Sequence, residues 1–120
     1  MNQLKYFKLS EFDSPDAVGS GEMMEPEFLD MLDLARDIAG FPFIITSGFR
    51  SIAHNRAVRG VKNSSHMMGW AADLSCTSSK RRFLMVEALM DAGFTRIGIG
   101  SNFIHCDCDP NKTGLLIWTY

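Results

Sequence analysis

Two histidines and a few carboxylates are the residues of this chain best suited to chemistry. His66 and Asp73 stand seven residues apart in Ser64-Ser65-His66-Met67-Met68-Gly69-Trp70-Ala71-Ala72-Asp73, and His105 opens a second run, His105-Cys106-Asp107-Cys108-Asp109. A histidine and an aspartate at that spacing arise by chance in many chains, so the setting matters more. Gly69, Ala71 and Ala72 are small enough for the backbone to pass close to a site, with His66 leaving a loop and Asp73 on an expected strand. Strand alternation then puts Asp73 and Ser75 on one face and Ala72, Leu74 and Cys76 on the other. The same alternation separates His105, Asp107 and Asp109 from the thiols. Two histidines and one carboxylate form a donor set for a metal such as zinc, which keeps a fourth position for a water whose pKa falls to about 7. By themselves the residues leave a second reading open, that of ordinary polar side chains at the surface or in the core. The Cys-x-Cys pair is read as core packing, and His54 as a structural side chain on a short helix.

The elements that must position these groups follow from periodicity and turn chemistry. Pro26 suits a helix start, Phe28, Leu32, Ala35 and Ala39 recur at helical spacing, and Gly40 supplies a stop. Phe43-Ile44-Ile45-Thr46 reads as a buried strand, followed by a Ser47-Gly48 turn toward Arg50 and a short helix from Ser51 to Arg59. Residues 61–69 read as a loop leading into a strand from Ala71 to Ser75. A second long helix is expected from Ser79 to Ala92, with Phe83, Val86, Leu89 and Met90 on its apolar face and Gly93 as its stop. Strands are expected at Arg96 to Ile99, Phe103 to Cys108 and Leu115 to Tyr120. Before all of these, Leu9, Phe12, Pro15 and Gly19-Ser20-Gly21 read as an ordered arm with turns. The order of elements predicts an α+β fold, a small antiparallel or mixed sheet with helices packed on one face.

Composition narrows the class. The 120 residues, 46% of them hydrophobic, suffice for one compact domain over 1–120 and leave no room for a second. Twelve basic against fourteen acidic residues give a net charge of -2, which lacks the dense positive field that nucleic-acid binding needs. No signal-peptide-like segment and no long apolar run is present, so cytoplasmic synthesis without membrane insertion is expected. Three cysteines, Cys76, Cys106 and Cys108, are odd in number and too few for a disulfide framework, and are expected as free buried thiols. The methionines are expected as core filler, and Trp70, Trp118 and Tyr120 as core packing in preference to a substrate groove.

Three motifs in order carry a family resemblance: Ser47-Gly48-Phe49-Arg50-Ser51, then Ser64-x-His66-x-x-Gly69-x-Ala71-x-Asp73, then Phe103-Ile104-His105-x-Asp107. With Tyr6-Phe7-Lys8-Leu9-Ser10-Glu11-Phe12 and Trp118 they cover nearly the whole chain. The sequence resembles the M15 peptidases, the D-alanyl-D-alanine carboxypeptidases and murein endopeptidases that share a zinc-site fold with the Hedgehog signalling domain, and is nearest the short subgroup common in phages. That resemblance implies zinc held by His66, Asp73 and His105, with a peptidoglycan stem peptide as substrate and an amide bond cut, as in a phage lysis or prophage enzyme acting on the cell wall once released. It also implies Arg50 on a substrate carboxylate or the oxyanion, and Ser64 near the substrate. One departure is Asn102, where several branches carry an acidic general base three residues before the last histidine. Asp107 is the expected replacement, able to serve as base or to orient His105. The missing acid also supports an alternative, a catalytically inactive, zinc-stabilised module that binds cell-wall peptide or a protein partner.

Overall fold

The computed structural model describes residues 3–120, and within them three helices and five strands follow two 3₁₀ turns at Leu9–Phe12 and Ser20–Met23. The strands are β1 (Ile45–Ser47), β2 (Ala71–Ser75), β3 (Arg96–Ile99), β4 (Phe103–Asp107) and β5 (Leu116–Thr119), and the helices are α1 (Pro26–Ala39), α2 (Ile52–Ala57) and α3 (Ser79–Ala92). The sheet order is β1-β2-β4-β3-β5. Its pairs are antiparallel except β3 with β5, which makes it the mixed sheet expected of the α+β class.

α1 and α3 begin and end where their residues dictate. Pro26 occupies the first turn of α1 and Gly40 closes it at φ 78°, while the Ser78 hydroxyl accepts the Arg81 N–H to start α3 and Gly93 ends it at φ 110°. Both helices pack on one sheet face. There Phe28, Leu29 and Leu32 of α1 and Met85 and Leu89 of α3 meet Leu74, Ile97, Ile104 and Cys106 from the strands in one buried cluster. Each large side chain buried there stabilises the fold by roughly 1.5–3 kcal/mol. The edge-to-face pair of Phe28 and Phe94, 5.7 Å between centroids, joins α1 to the chain leaving α3.

Two expectations about α3 and β1 need correction. Phe83 is 69% exposed and Met90 lies outside the core, because the face turned inward runs through Met85, Ala88 and Leu89. The sequence holds two overlapping stripes at helical spacing, and packing against α1 selects the second. β1 starts at Ile45 rather than Phe43, and a bulge lies within it: Ile45 pairs with Leu74, yet Ser47 pairs with Asp73. The extra residue turns Ser47 away from the core face and aims the following chain at the opposite side of the sheet. The methionines divide: Met24 and Met85 fill the core, whereas Met23, Met68 and Met90 are exposed.

A candidate metal centre on the open sheet face

On the face opposite the long helices, Asp73 of β2 and His105 of β4 are directly paired across the two strands. The His105 Nδ1 lies 2.9 Å from Asp73 Oδ1, and His66 Nε2 lies 3.4 Å from the same oxygen. One ligand atom from each of His66, Asp73 and His105 falls within 4.8 Å of the others, so these three residues could hold a metal ion. The cysteines take no part in this group: Cys106 faces the core and its thiol is pushed well up by burial, while burial likewise pushes Cys108 up to about 12.

The ring nitrogens that face away from this centre are both occupied. His66 Nδ1–H donates to the Gly48 carbonyl at 2.9 Å, and His105 Nε2–H donates to Asp107 Oδ2 at 2.7 Å. These acceptors fix each tautomer and leave His66 Nε2 and His105 Nδ1 turned toward Asp73, the arrangement that histidine metal ligands require. Burial disfavours a charged His105, but hydrogen bonds to Asp107 and Asp73 outweigh it and raise its pKa above that of an ordinary histidine. His66 is driven the other way, lowered chiefly by burial. Burial opposes ionisation of Asp73 too, yet the two histidines together hold its carboxyl below the usual range. The donor chemistry and the outward hydrogen bonds therefore suit a divalent cation with nitrogen and oxygen ligands.

His66 sits on a loop, and the Ser47–Arg50 segment delivered by the bulge holds that loop. Arg50 N–H donates to the His66 carbonyl at 3.1 Å while the His66 ring reaches Gly48, so the segment grips the same residue twice. Gly48 is obligatory there, since a Cβ would come within 2.6 Å of the Phe12 backbone. Behind His66, the Ser64 hydroxyl accepts the His66 N–H at 3.2 Å, and the Ser65 hydroxyl donates to Asp109 at 2.8 Å. Ser64 borders the cleft but is buried, with its hydroxyl engaged in this turn. Gly69, at φ 78°, ends the loop against the Met23 carbonyl.

A cleft of about 440 Å³ opens over the centre. Arg50 reaches it with Nε on the Ser47 hydroxyl, one terminal nitrogen on Asn55 Oδ1 and the other 3.6 Å from Asp73. Buried Asn55 also donates to the Val61 carbonyl, tying the 58–61 loop to Arg50. Trp118 and Tyr120 line the opposite wall, which corrects their expected place in the core; Trp70 does pack against the core. Gly98 makes this possible, because it lies between His105 and Trp118 in the sheet and any side chain there would strike the Trp118 and Tyr120 rings. The Trp118 ring stands 5.5 Å from that of His105.

Asp107 is 1% exposed and both its oxygens are engaged, Oδ2 by His105 and Oδ1 by Arg96 Nε at 2.7 Å and the Asp109 N–H at 3.3 Å. Burial opposes its ionisation, but His105 and Arg96 keep it a carboxylate. Asn102 is exposed and does not line the cleft. Sequence reasoning overlooked Arg96, Arg59 and Lys112, which all border the cleft. Arg96 had a readable signal: the short turn after Ile99 sets the β3–β4 register, and that register places Arg96 opposite Asp107.

Comparison with known proteins gives the chain its family. The zinc D-Ala-D-Ala carboxypeptidase of Streptomyces albus G is 41% identical over 56 residues, which are 47% of this chain and 22% of that protein. The chain thus matches under a quarter of that relative's length. The family described as Peptidase M15 matches residues 5–107, both expected histidine ligands and the aspartate between them included. With a match of that extent, the chain belongs to the M15 peptidase family.

Proposed function

We propose that residues 1–120 form one zinc peptidase domain that hydrolyses an amide bond in a peptidoglycan stem peptide. The observation that carries this reading is the convergence of His66, Asp73 and His105 beneath an open cleft, with each imidazole locked by an outward hydrogen bond. Membership of the M15 family and the zinc D-Ala-D-Ala carboxypeptidase among its relatives support the metal and the substrate class. Zinc bound there would polarise the scissile carbonyl and supply an activated water at neutral pH.

The chain's own residues do the rest. Arg50, pre-set by Ser47 and Asn55, offers a fixed fork to a substrate carboxylate or to the negative charge that develops on the carbonyl oxygen. Arg59 and Lys112 add positive charge along the cleft, which suits a carboxylate-bearing peptide. Trp118 and Tyr120 form an aromatic wall along one side of the cleft. Ser64 serves the substrate through the His66 turn rather than by direct contact. Of the two roles open to Asp107, its geometry favours orienting His105, since neither oxygen is free to take a proton from water.

That last point favours a second reading. Among the described residues, the carboxylates bordering the cleft are Asp73 and Asp107, one in the metal group and one fully engaged. A metal-stabilised module that binds cell-wall peptide without turnover would need no base. Mass spectrometry of purified peptidoglycan incubated with zinc-loaded protein, with His66→Ala as control, separates the two. New stem-peptide fragments absent from the control establish hydrolysis and identify the bond; intact peptidoglycan with one zinc per chain overturns hydrolysis and favours the binding module.

A further inference from the structure

We propose that Arg96 is a positioning residue that fixes the metal ligand His105 and the Trp118 wall of the cleft to each other. It starts β3, directly opposite Asp107 of β4 and beside Leu116 of β5, so it stands between the strand that bears the ligand and the strand that bears the wall. Its side chain is 14% exposed and makes three different contacts. Nε donates to Asp107 Oδ1 at 2.7 Å, a terminal nitrogen donates to the Thr113 carbonyl at 2.5 Å, and the guanidinium carbon lies 5.1 Å from the centre of the Trp118 ring.

The first contact acts on the metal centre. Asp107 points its other oxygen at His105 Nε2, so the chain Arg96–Asp107–His105 braces the imidazole from behind. Remove the guanidinium and the buried carboxylate loses its countercharge, keeping only the Asp109 N–H on that oxygen. The other two contacts act on the wall. Thr113 lies in the 108–115 connection, and Arg96 pins that connection while its flat face supports Trp118. Gly98, two residues on, has no side chain to stand on the sheet face between His105 and Trp118. The placing of the Trp118 ring beside His105 is therefore braced by Arg96, a cation that touches both sides. A planar fork with a flat face can do this, and an ammonium group cannot.

The catalytic consequence rests on the peptidase reading; the structural claim does not. The test compares Arg96→Met and Arg96→Lys by zinc competition against a chromophoric chelator, by imidazole ¹⁵N resonances of His105, by the Trp118 indole ¹H–¹⁵N resonance, and by KM and kcat on a stem peptide. For Arg96→Met a zinc affinity lower by about 10–100-fold is expected, with both resonances moved. Arg96→Lys retains a cation for Asp107, so zinc affinity close to wild type is expected together with a moved indole resonance and a raised KM. Wild-type zinc affinity and His105 resonances in folded Arg96→Met would overturn the link to the metal. Should that variant fail to fold, Arg96→Lys decides: a wild-type indole resonance and KM would overturn the link to the wall. If the wild-type protein cleaves nothing, the peptidase reading falls while affinity and resonances still judge Arg96.

Discussion

Replacing Asp107 with asparagine changes one charge and almost no volume, at a residue only 1% exposed. The carboxylate accepts from three donors: Arg96 Nε, His105 Nε2–H and the Asp109 N–H. An asparagine has a single acceptor oxygen and an NH₂ group that donates. If the oxygen stays with Arg96, the NH₂ confronts His105 Nε2–H and pushes the ring toward its other tautomer, with a proton on Nδ1 where a metal would bind. If the oxygen turns to His105, the NH₂ faces a guanidinium and the buried pair is broken. Either way His105 is a poorer ligand, and residues in this supporting position typically change metal affinity by 10–100-fold, which is about 1.4–2.7 kcal/mol. We expect Asp107→Asn to lose zinc affinity in that range in a chelator competition near neutral pH, while circular dichroism shows the fold retained. Turnover at saturating zinc separates the two roles of Asp107: as an orienting group it leaves substantial activity once the site is filled, and as a base it leaves almost none. Zinc affinity equal to wild type would refute the argument that Asp107 governs His105.

Three further outcomes follow from the same geometry. Gly98→Ala places a Cβ 2.7 Å from Trp118 Nε1 and 2.9 Å from Tyr120 Cε2, so the wall must move; thermal melts should show a loss of about 1–3 kcal/mol, and KM should rise with zinc affinity kept. Arg50→Lys loses the fork that spans Ser47 and Asn55, and kcat/KM should fall by about 10²–10³ with zinc still bound; a change under about threefold would remove Arg50 from the chemistry. Zinc affinity should also climb with pH. The raised pKa of His105 means the metal-free protein keeps that proton above the ordinary 6.5, and a metal must expel it, so affinity gains up to about tenfold per pH unit until the proton is gone. His66, already neutral, adds little to this slope, and calorimetric titrations from about pH 6 to about pH 8 that show a flat affinity would contradict the assigned proton.

The convergence of the candidate ligands was legible because alternation, a local rule, decides which residues of a short strand share a face. Asp73 and His105 stand apart from Leu74, Ile104 and Cys106 in the structure as they do in the pattern. α1, β2, α3 and β3 have the bounds read from the sequence, with Pro26 at the start of α1 and Gly40 and Gly93 closing the two long helices. What escaped was decided between elements. The inner face of α3 depended on where α1 lies: of the expected Phe83, Val86, Leu89 and Met90, Leu89 is buried and Val86 packs against the core, whereas Phe83 and Met90 are exposed and Met85 and Ala88 take the inner places. Trp118 and Tyr120 went to the cleft because β5 joins β3 at the glycine, a parallel pairing that no nearby turn announces. The bulge in β1 leaves no mark in Ile45-Thr46-Ser47, yet it brings Arg50 to the site.

The direct pairing of Asp73 with His105 has a consequence for how the chain folds. A slip of one residue between β2 and β4 would turn one of the two side chains into the helix-covered core and leave the other outside, because successive residues point to opposite faces. The two donors meet only when the strands agree in parity. A metal that binds this centre would therefore favour the native register of the central strand pair by mass action, because a chain in a slipped register has no such centre to fill.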